Sequence, residues 1–89
     1  MGGETVAAAV PPAVLANLRE AFGREVEVRI PALEARTDLE TARRDAHTLA
    51  SGAWVVGEPD IARLARAVEN ELPGGPVEEL LVLLRGYVA

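Results

Sequence analysis

The sequence predicts an all-α fold, an antiparallel bundle of short helices. Three observations predict it. Alanine, leucine, arginine and glutamate dominate the composition, apolar residues recur at spacings of three and four, and glycine and proline cut these runs into pieces of helix length. The connections between the last three pieces are short, which makes neighbouring helices antiparallel. A chain of 89 residues supplies one modest core. The expected organisation is a flexible N-terminal tail, residues 1–10, followed by a single helical domain, residues 11–89.

Pro11 and Pro12 open a first, short helix carrying Val14, Leu15, Leu18 and Phe22, and Gly23 is its expected stop. The next stretch, REVEVRIPALEA, supports two readings. Val26, Ile30 and Leu33 suit a helix, whereas Val26, Val28 and Ile30 alternate with charges as a strand would. Pro31 bars a regular helix unless it kinks or begins there, so a brief, proline-interrupted second helix is the reading adopted. The third helix is better marked. TDLE at 37–40 has the form of a capping box, in which Thr37 and Glu40 satisfy amides of the first turn. Its stripe is Leu39, Ala42, Ala46, Leu49, Ala53 and Val56, and Gly57 ends it. Pro59 starts the fourth helix, which turns Ile61, Leu64, Val68 and Leu72 inward before PGGP breaks the chain. The last helix begins near Pro76, with Glu78 and Glu79 in its first turn and Arg85 in its last, as the helix dipole favours. It buries Val77, Leu80, Leu81, Leu84 and Val88. Val82 and Leu83 fall off that face, for the N-terminal helix or the second subunit of a homodimer to cover.

Composition excludes several classes of function. Nine basic residues against fourteen acidic give a net charge of −5, which opposes binding to nucleic acid or to an anionic membrane surface. The run LLVLL at 80–84 is far shorter than the roughly 20 apolar residues that span a bilayer. No basic stretch precedes the apolar patch in MGGETVAAAVPPA, so it does not read as a signal segment. Cysteine is absent, which rules out disulfides and thiolate zinc sites and fits a reducing compartment; a cytoplasmic location is expected. All nine basic residues are arginine, which removes Walker-type phosphate loops and Schiff-base chemistry. With one histidine and no clustered carboxylate motif, no cofactor of the chain's own is expected.

That histidine, His47, interrupts the third helix. At about 100° per residue it lies roughly 130° from the centre of the apolar stripe, on the solvent side. Arg43 lies one turn before it, Ala50 and Ser51 one turn after, and Trp54 two turns after. Small residues beside an imidazole leave room for another protein to close over it, and an exposed tryptophan can anchor such a contact.

The string AHTLASGAWVVG resembles the signature of histidine-containing phosphotransfer (HPt) domains: a histidine, an aliphatic residue two positions on and a glycine ten positions on, here His47, Leu49 and Gly57. IARLARAVE is similar to the family's following helix. There the family often has a glutamate or glutamine 22 residues beyond the histidine to hold the imidazole, and Glu69 has that spacing. The resemblance covers residues 37 to 72 by motif and the rest by helical pattern alone. It implies an HPt-like four-helix bundle in which His47 accepts a phosphoryl group and passes it on, with Glu69 orienting the ring. The implied partners are a response-regulator receiver domain, which would bring its own Mg²⁺, and a histidine kinase. The chain departs from the family in two places. The family's lysine three residues after the histidine is Ala50 here, with Ser51 and Gly52 following. Arg43 and Arg66 are the candidate substitutes, and Ala50, Ser51 and Trp54 complete the expected phosphate or partner contact. The other departure is the brief segment between Gly23 and Thr37, which leaves dimerisation as one way to complete the bundle.

The chemistry is simple. Free imidazole titrates near ~6.5, so much of it is a competent nucleophile at neutral pH without a catalytic base. A carboxylate on Nδ1–H leaves the Nε2 lone pair facing outward. Other readings stand beside this one. A lone histidine on a helix is commonly a solvated surface residue, Trp54 suits a ring capping the bundle end as well as a partner contact, and the arginines suit ordinary surface ion pairs. Asp45 and Glu71 have no special spacing and receive no role. At the level of function the alternatives are a degenerate HPt-like module that binds a signalling partner without phosphotransfer, and an unrelated helical dimerisation domain.

Overall fold

The structure is a computed structural model and describes residues 9–89. Of the tail expected over 1–10, residues 1–8 lie outside the described residues. Four helices follow one another: α1 Pro12–Ala35, α2 Leu39–Val56, α3 Pro59–Glu71 and α4 Val77–Val88. The fold is an all-α four-helix bundle, with no strand among the described residues. Each helix packs on its neighbours in sequence, and α4 closes the ring against α1.

α1 corrects the expectation. Instead of a short helix ending at Gly23 and a brief second one broken at Pro31, a single helix of 24 residues runs through both. At about 1.5 Å per residue it is about 36 Å long, and it matches the 39 Å long dimension of the molecule. Burial is the reason. Phe22, Val26 and Leu33 lie inside the bundle, and each such side chain gains about 1.5–3 kcal/mol, more than the roughly 1 kcal/mol that a glycine costs a helix. Pro31 removes the amide that would bond the Glu27 carbonyl, yet both residues face solvent, where water satisfies the freed oxygen. The strand reading fails because Val28, which alternation would pair with Val26, is exposed. The helix ends at Arg36, left-handed at φ 49° and ψ 35°, whose N–H donates to the Ala32 carbonyl at 2.9 Å.

The entry to α2 is shifted by one residue from the expected capping box. Asp38, not Thr37, caps the helix: its carboxylate accepts from the amides of Glu40 at 3.1 Å and Thr41 at 3.4 Å, and from the Thr41 hydroxyl at 2.9 Å. These bonds favour the ionised form and hold Asp38 below the ordinary value of 3.8, the Thr41 hydroxyl contributing most. A carboxyl depressed in the folded state contributes stability above its unfolded pKa and loses it as pH falls through the folded value. Asp38→Asn, which still caps but does not titrate, is therefore expected to flatten the acid limb of the melting temperature against pH, read between about pH 5 and pH 2. An unchanged limb would remove Asp38 from the account. At the other end Gly57 takes φ 82°, and the Glu58 N–H closes the last turn on the Ala53 carbonyl at 2.8 Å.

The core explains how α2 and α3 are held. α2 buries Ala42, Ala46, Ala50 and Ala53 beside Leu49 and Val56, and α3 buries Ala65 between Ile61 and Val68. Methyl groups in place of long side chains let two backbones approach closely. The α2–α3 pairing is the most extensive in the bundle. Leu80, Leu81 and Leu84 of α4 fill the opposite wall. Leu39, expected inside, is half-exposed where α2 begins. Of the two residues left off the α4 stripe, Leu83 packs partly against the core, while Val82 stays exposed at 64 %. No helix among the described residues is long and apolar enough to cross a membrane.

Candidate functional site

His47 stands near the middle of α2, with its side chain 60 % exposed, and Glu69 rises beside it from α3 with its side chain 20 % exposed. His47 Nδ1 and Glu69 Oε2 are 2.8 Å apart. An ionised carboxylate can only accept, so Nδ1 carries a hydrogen, and in the neutral form of the ring Nε2 is then the nitrogen with the free lone pair. The alanine seam makes the contact possible, because a glutamate reaches across only where the two helices lie close. The second carboxylate oxygen, Oε1, is buried and has no hydrogen-bond partner. Arg66 Nε lies 4.0 Å from it, a distance for charge compensation rather than for a bond.

The other expected residues, Ala50 excepted, border three hollows. Arg43 lies beside His47 and pairs with Glu40 at 2.9 Å; together with Arg44 and Glu69 they line a polar hollow of about 210 Å³. Trp54, 43 % exposed, shares a neighbouring hollow with Pro59, Ala62, Arg63 and Arg66. Ser51 is exposed and borders a third, apolar hollow of about 370 Å³ between α1 and α2, lined also by Leu18, Phe22, Thr48, Gly52 and Val55. Ala50 is a correction. It is fully buried, because its position on the helix turns the methyl into the packed layer rather than outward, so it offers no surface to a phosphate or a partner.

Three features escaped the sequence reading. Asp45, given no role, is buried and accepts from Arg29 of α1 at 3.2 Å, while the other arm of Arg29 donates to Glu25 at 2.6 Å. The pair clamps α1 to α2 on the side of α2 away from Glu69. A charge lying between Ala42 and Leu49 on an apolar stripe was the available signal, since a buried carboxylate needs a partner. The second is Gly52. A Cβ there would lie 2.8 Å from Phe22 Cδ1, and that ring is also held edge-on by Tyr87 at a centroid distance of 5.2 Å. Overpacking of this kind costs about 1–3 kcal/mol, against roughly 1 kcal/mol gained in helix propensity. Gly52→Ala is therefore expected to be destabilised by about 1 kcal/mol in urea unfolding; a more stable variant would show that Phe22 is free to move. The third is Arg44, which the sequence reading placed among the ordinary surface charges.

Among the described residues no group of three or more histidine, cysteine, aspartate or glutamate side chains is placed to hold a metal ion. The arrangement is an exposed imidazole with one ring nitrogen tied to a carboxylate and arginines on both helices. No curated protein and no solved structure matches the chain. The family model of the Hpt domain matches residues 12–87, nearly the whole bundle including both members of the histidine–glutamate pair. The chain belongs to the Hpt domain family, the phosphotransfer modules of two-component signalling.

Proposed function

We propose that the chain is a phosphocarrier: His47 takes a phosphoryl group from a receiver-domain aspartyl phosphate or a histidine kinase and gives it to a receiver. The observation that carries this reading is the exposed imidazole with Nδ1 held by Glu69 at 2.8 Å. In the step from a receiver, the Nε2 lone pair attacks phosphorus and forms the N–P bond. The P–O bond to the aspartate breaks, and its electron pair leaves on the carboxylate. The imidazole becomes cationic with Nδ1 still protonated, and Glu69 offsets that charge. Little covalent work falls to the protein, since phosphoryl transfer depends on positioning and charge neutralisation. Mg²⁺ would belong to the receiver. The apolar hollow beside Ser51 and the half-exposed Trp54 flank the imidazole as surface for that partner.

Incubation with a phosphorylated receiver, or with a histidine kinase and nucleotide, tests the proposal. An acid-labile, alkali-stable adduct is expected on the natural chain and none on His47→Gln; no adduct across a panel of such donors would overturn it. One observation favours a second reading. Ala50, where the family carries lysine, is buried and uncharged, which suits a module that binds a receiver or kinase without taking phosphate. Binding without any adduct would decide for that module.

A further inference from the structure

A phosphoryl group on His47 would sit beside carboxylates, and nothing at position 50 can balance it. Glu69 holds the same ring, and Glu40 lines the same hollow. A dianionic group in that setting needs a cation. Helix side chains lean towards the N-terminus of their helix, so the imidazole overhangs the preceding turn rather than the following one. That turn carries Arg43 and Arg44, and both line the hollow with His47.

The arginines around the histidine are not equivalent. Arg43 is bonded to Glu40 at 2.9 Å, and the charges of that pair cancel. Arg66 stands 4.0 Å from the unbonded oxygen of Glu69 and lines the other hollow, with Trp54. Arg63 is bonded to Asp60 at 3.0 Å. Arg44 has no ion-pair partner within 4.0 Å among the described residues and acts on the Asp38 carboxylate only through space, whereas Arg43, Arg63 and Arg66 each have a paired acid. We propose that Arg44 is the residue that holds the phosphoryl group on His47, doing from one turn before the histidine what no side chain does from position 50. In this division of labour Arg43 silences Glu40 and Arg66 balances Glu69. A guanidinium suits the task because its planar fork presents two donors to two phosphoryl oxygens.

This inference rests on the phosphocarrier reading, and the test separates the two. The probe is phosphoramidate, which needs no partner protein. Nε2 attacks the phosphorus of its N-protonated zwitterion, the P–N bond breaks, and the nitrogen, already carrying three hydrogens, departs with its electron pair as ammonia. The natural chain, Arg44→Gln, Arg44→Lys, Arg66→Gln and Arg24→Gln are compared by initial rate of phosphorylation and by the ³¹P NMR titration of the phosphohistidine. Circular dichroism verifies that each is folded. Arg24 pairs with Glu20 at 3.9 Å on exposed surface and controls for the loss of one positive charge.

Arg44→Gln is expected to be phosphorylated about tenfold more slowly, the low end for removing a charge-assisted bond. A neighbouring cation favours the dianion, so the second pKa of the phosphoryl group should rise by about 0.5 or more in Arg44→Gln. Arg44→Lys should recover part of both effects, and Arg24→Gln should show neither. If the natural chain labels on His47 while Arg44→Gln matches it in rate and titration, the assignment to Arg44 fails and the carrier reading survives. An equal rise in that pKa for Arg66→Gln or Arg24→Gln also overturns it. If the natural chain takes phosphate neither from phosphoramidate nor from phosphorylated receivers, both readings fall.

Discussion

Glu69→Ala is expected to take up phosphate on His47 about 10- to 100-fold more slowly than the natural chain, the usual loss when the partner that orients an imidazole is removed. The bond at 2.8 Å fixes both the tautomer and the plane of the ring. Without it the hydrogen is free to sit on Nε2, and the lone pair then points at the bundle instead of the donor. The loss should appear in rate and not in folding, because Glu69 also carries a buried oxygen with no hydrogen-bond partner, so its removal relieves a desolvated charge. Glu69→Gln separates orientation from charge: its amide oxygen still accepts from Nδ1–H, but the cationic phosphoimidazole loses its counter-charge. Its rate should fall between the two. Equal rates for all three chains, with thermal melts within about 0.5 kcal/mol of one another, would show that the pair plays no part in accepting phosphate.

Leu49→Ala should lower the free energy of unfolding by about 2–5 kcal/mol, the range for truncating a fully buried leucine. Leu49 has no exposed surface and lies among the alanines of α2, whose methyl groups are too short to collapse into the space it leaves. For a domain of this size each kcal/mol moves the melting temperature by about 4–8 °C, and total stability is on the order of 5–15 kcal/mol. The variant should therefore be close to unfolding when warm. Urea titration with calorimetry measures it. A loss under 1 kcal/mol would mean that the neighbouring helices close over the gap, and that the core is softer than its packing indicates.

The sequence carried the α2–α3 hairpin in full view. Gly57 and Pro59 mark its turn, the stripes on both sides have the helical period, and His47 and Glu69, 22 residues apart, straddle that turn almost symmetrically. An antiparallel pair must place them level. α1 was not legible in the same way. Gly23 and Pro31 are local stop signals, and what overrides them is contact with residues far along the chain, such as Tyr87 on Phe22. The capping box put the cap at Thr37, one residue before the Asp38 that fills the position, because aspartate caps as well as threonine and spacing does not decide between neighbours. One helix wheel put His47 on the outside, correctly, and the family's 22-residue spacing supplied Glu69 on the next helix. Ala50, placed on the His47 face as the residue one turn on, is buried instead, and which of the possible i,i+3 and i,i+4 pairs form around Arg43, Arg44 and Arg66 is visible only in three dimensions.

The alanines between α2 and α3 behave like a machinist's shim. Their thickness, a single methyl on each side, sets the gap across which imidazole and carboxylate meet. A shim one methylene thicker at Ala46, Ala50, Ala53 or Ala65 would leave the hydrophobic character of the seam intact while spreading the two reactive groups beyond bonding reach. Substitutions that look conservative and never touch phosphate thus stand to silence the module, and tolerance to mutation should be lowest along this hidden line rather than around the exposed ring.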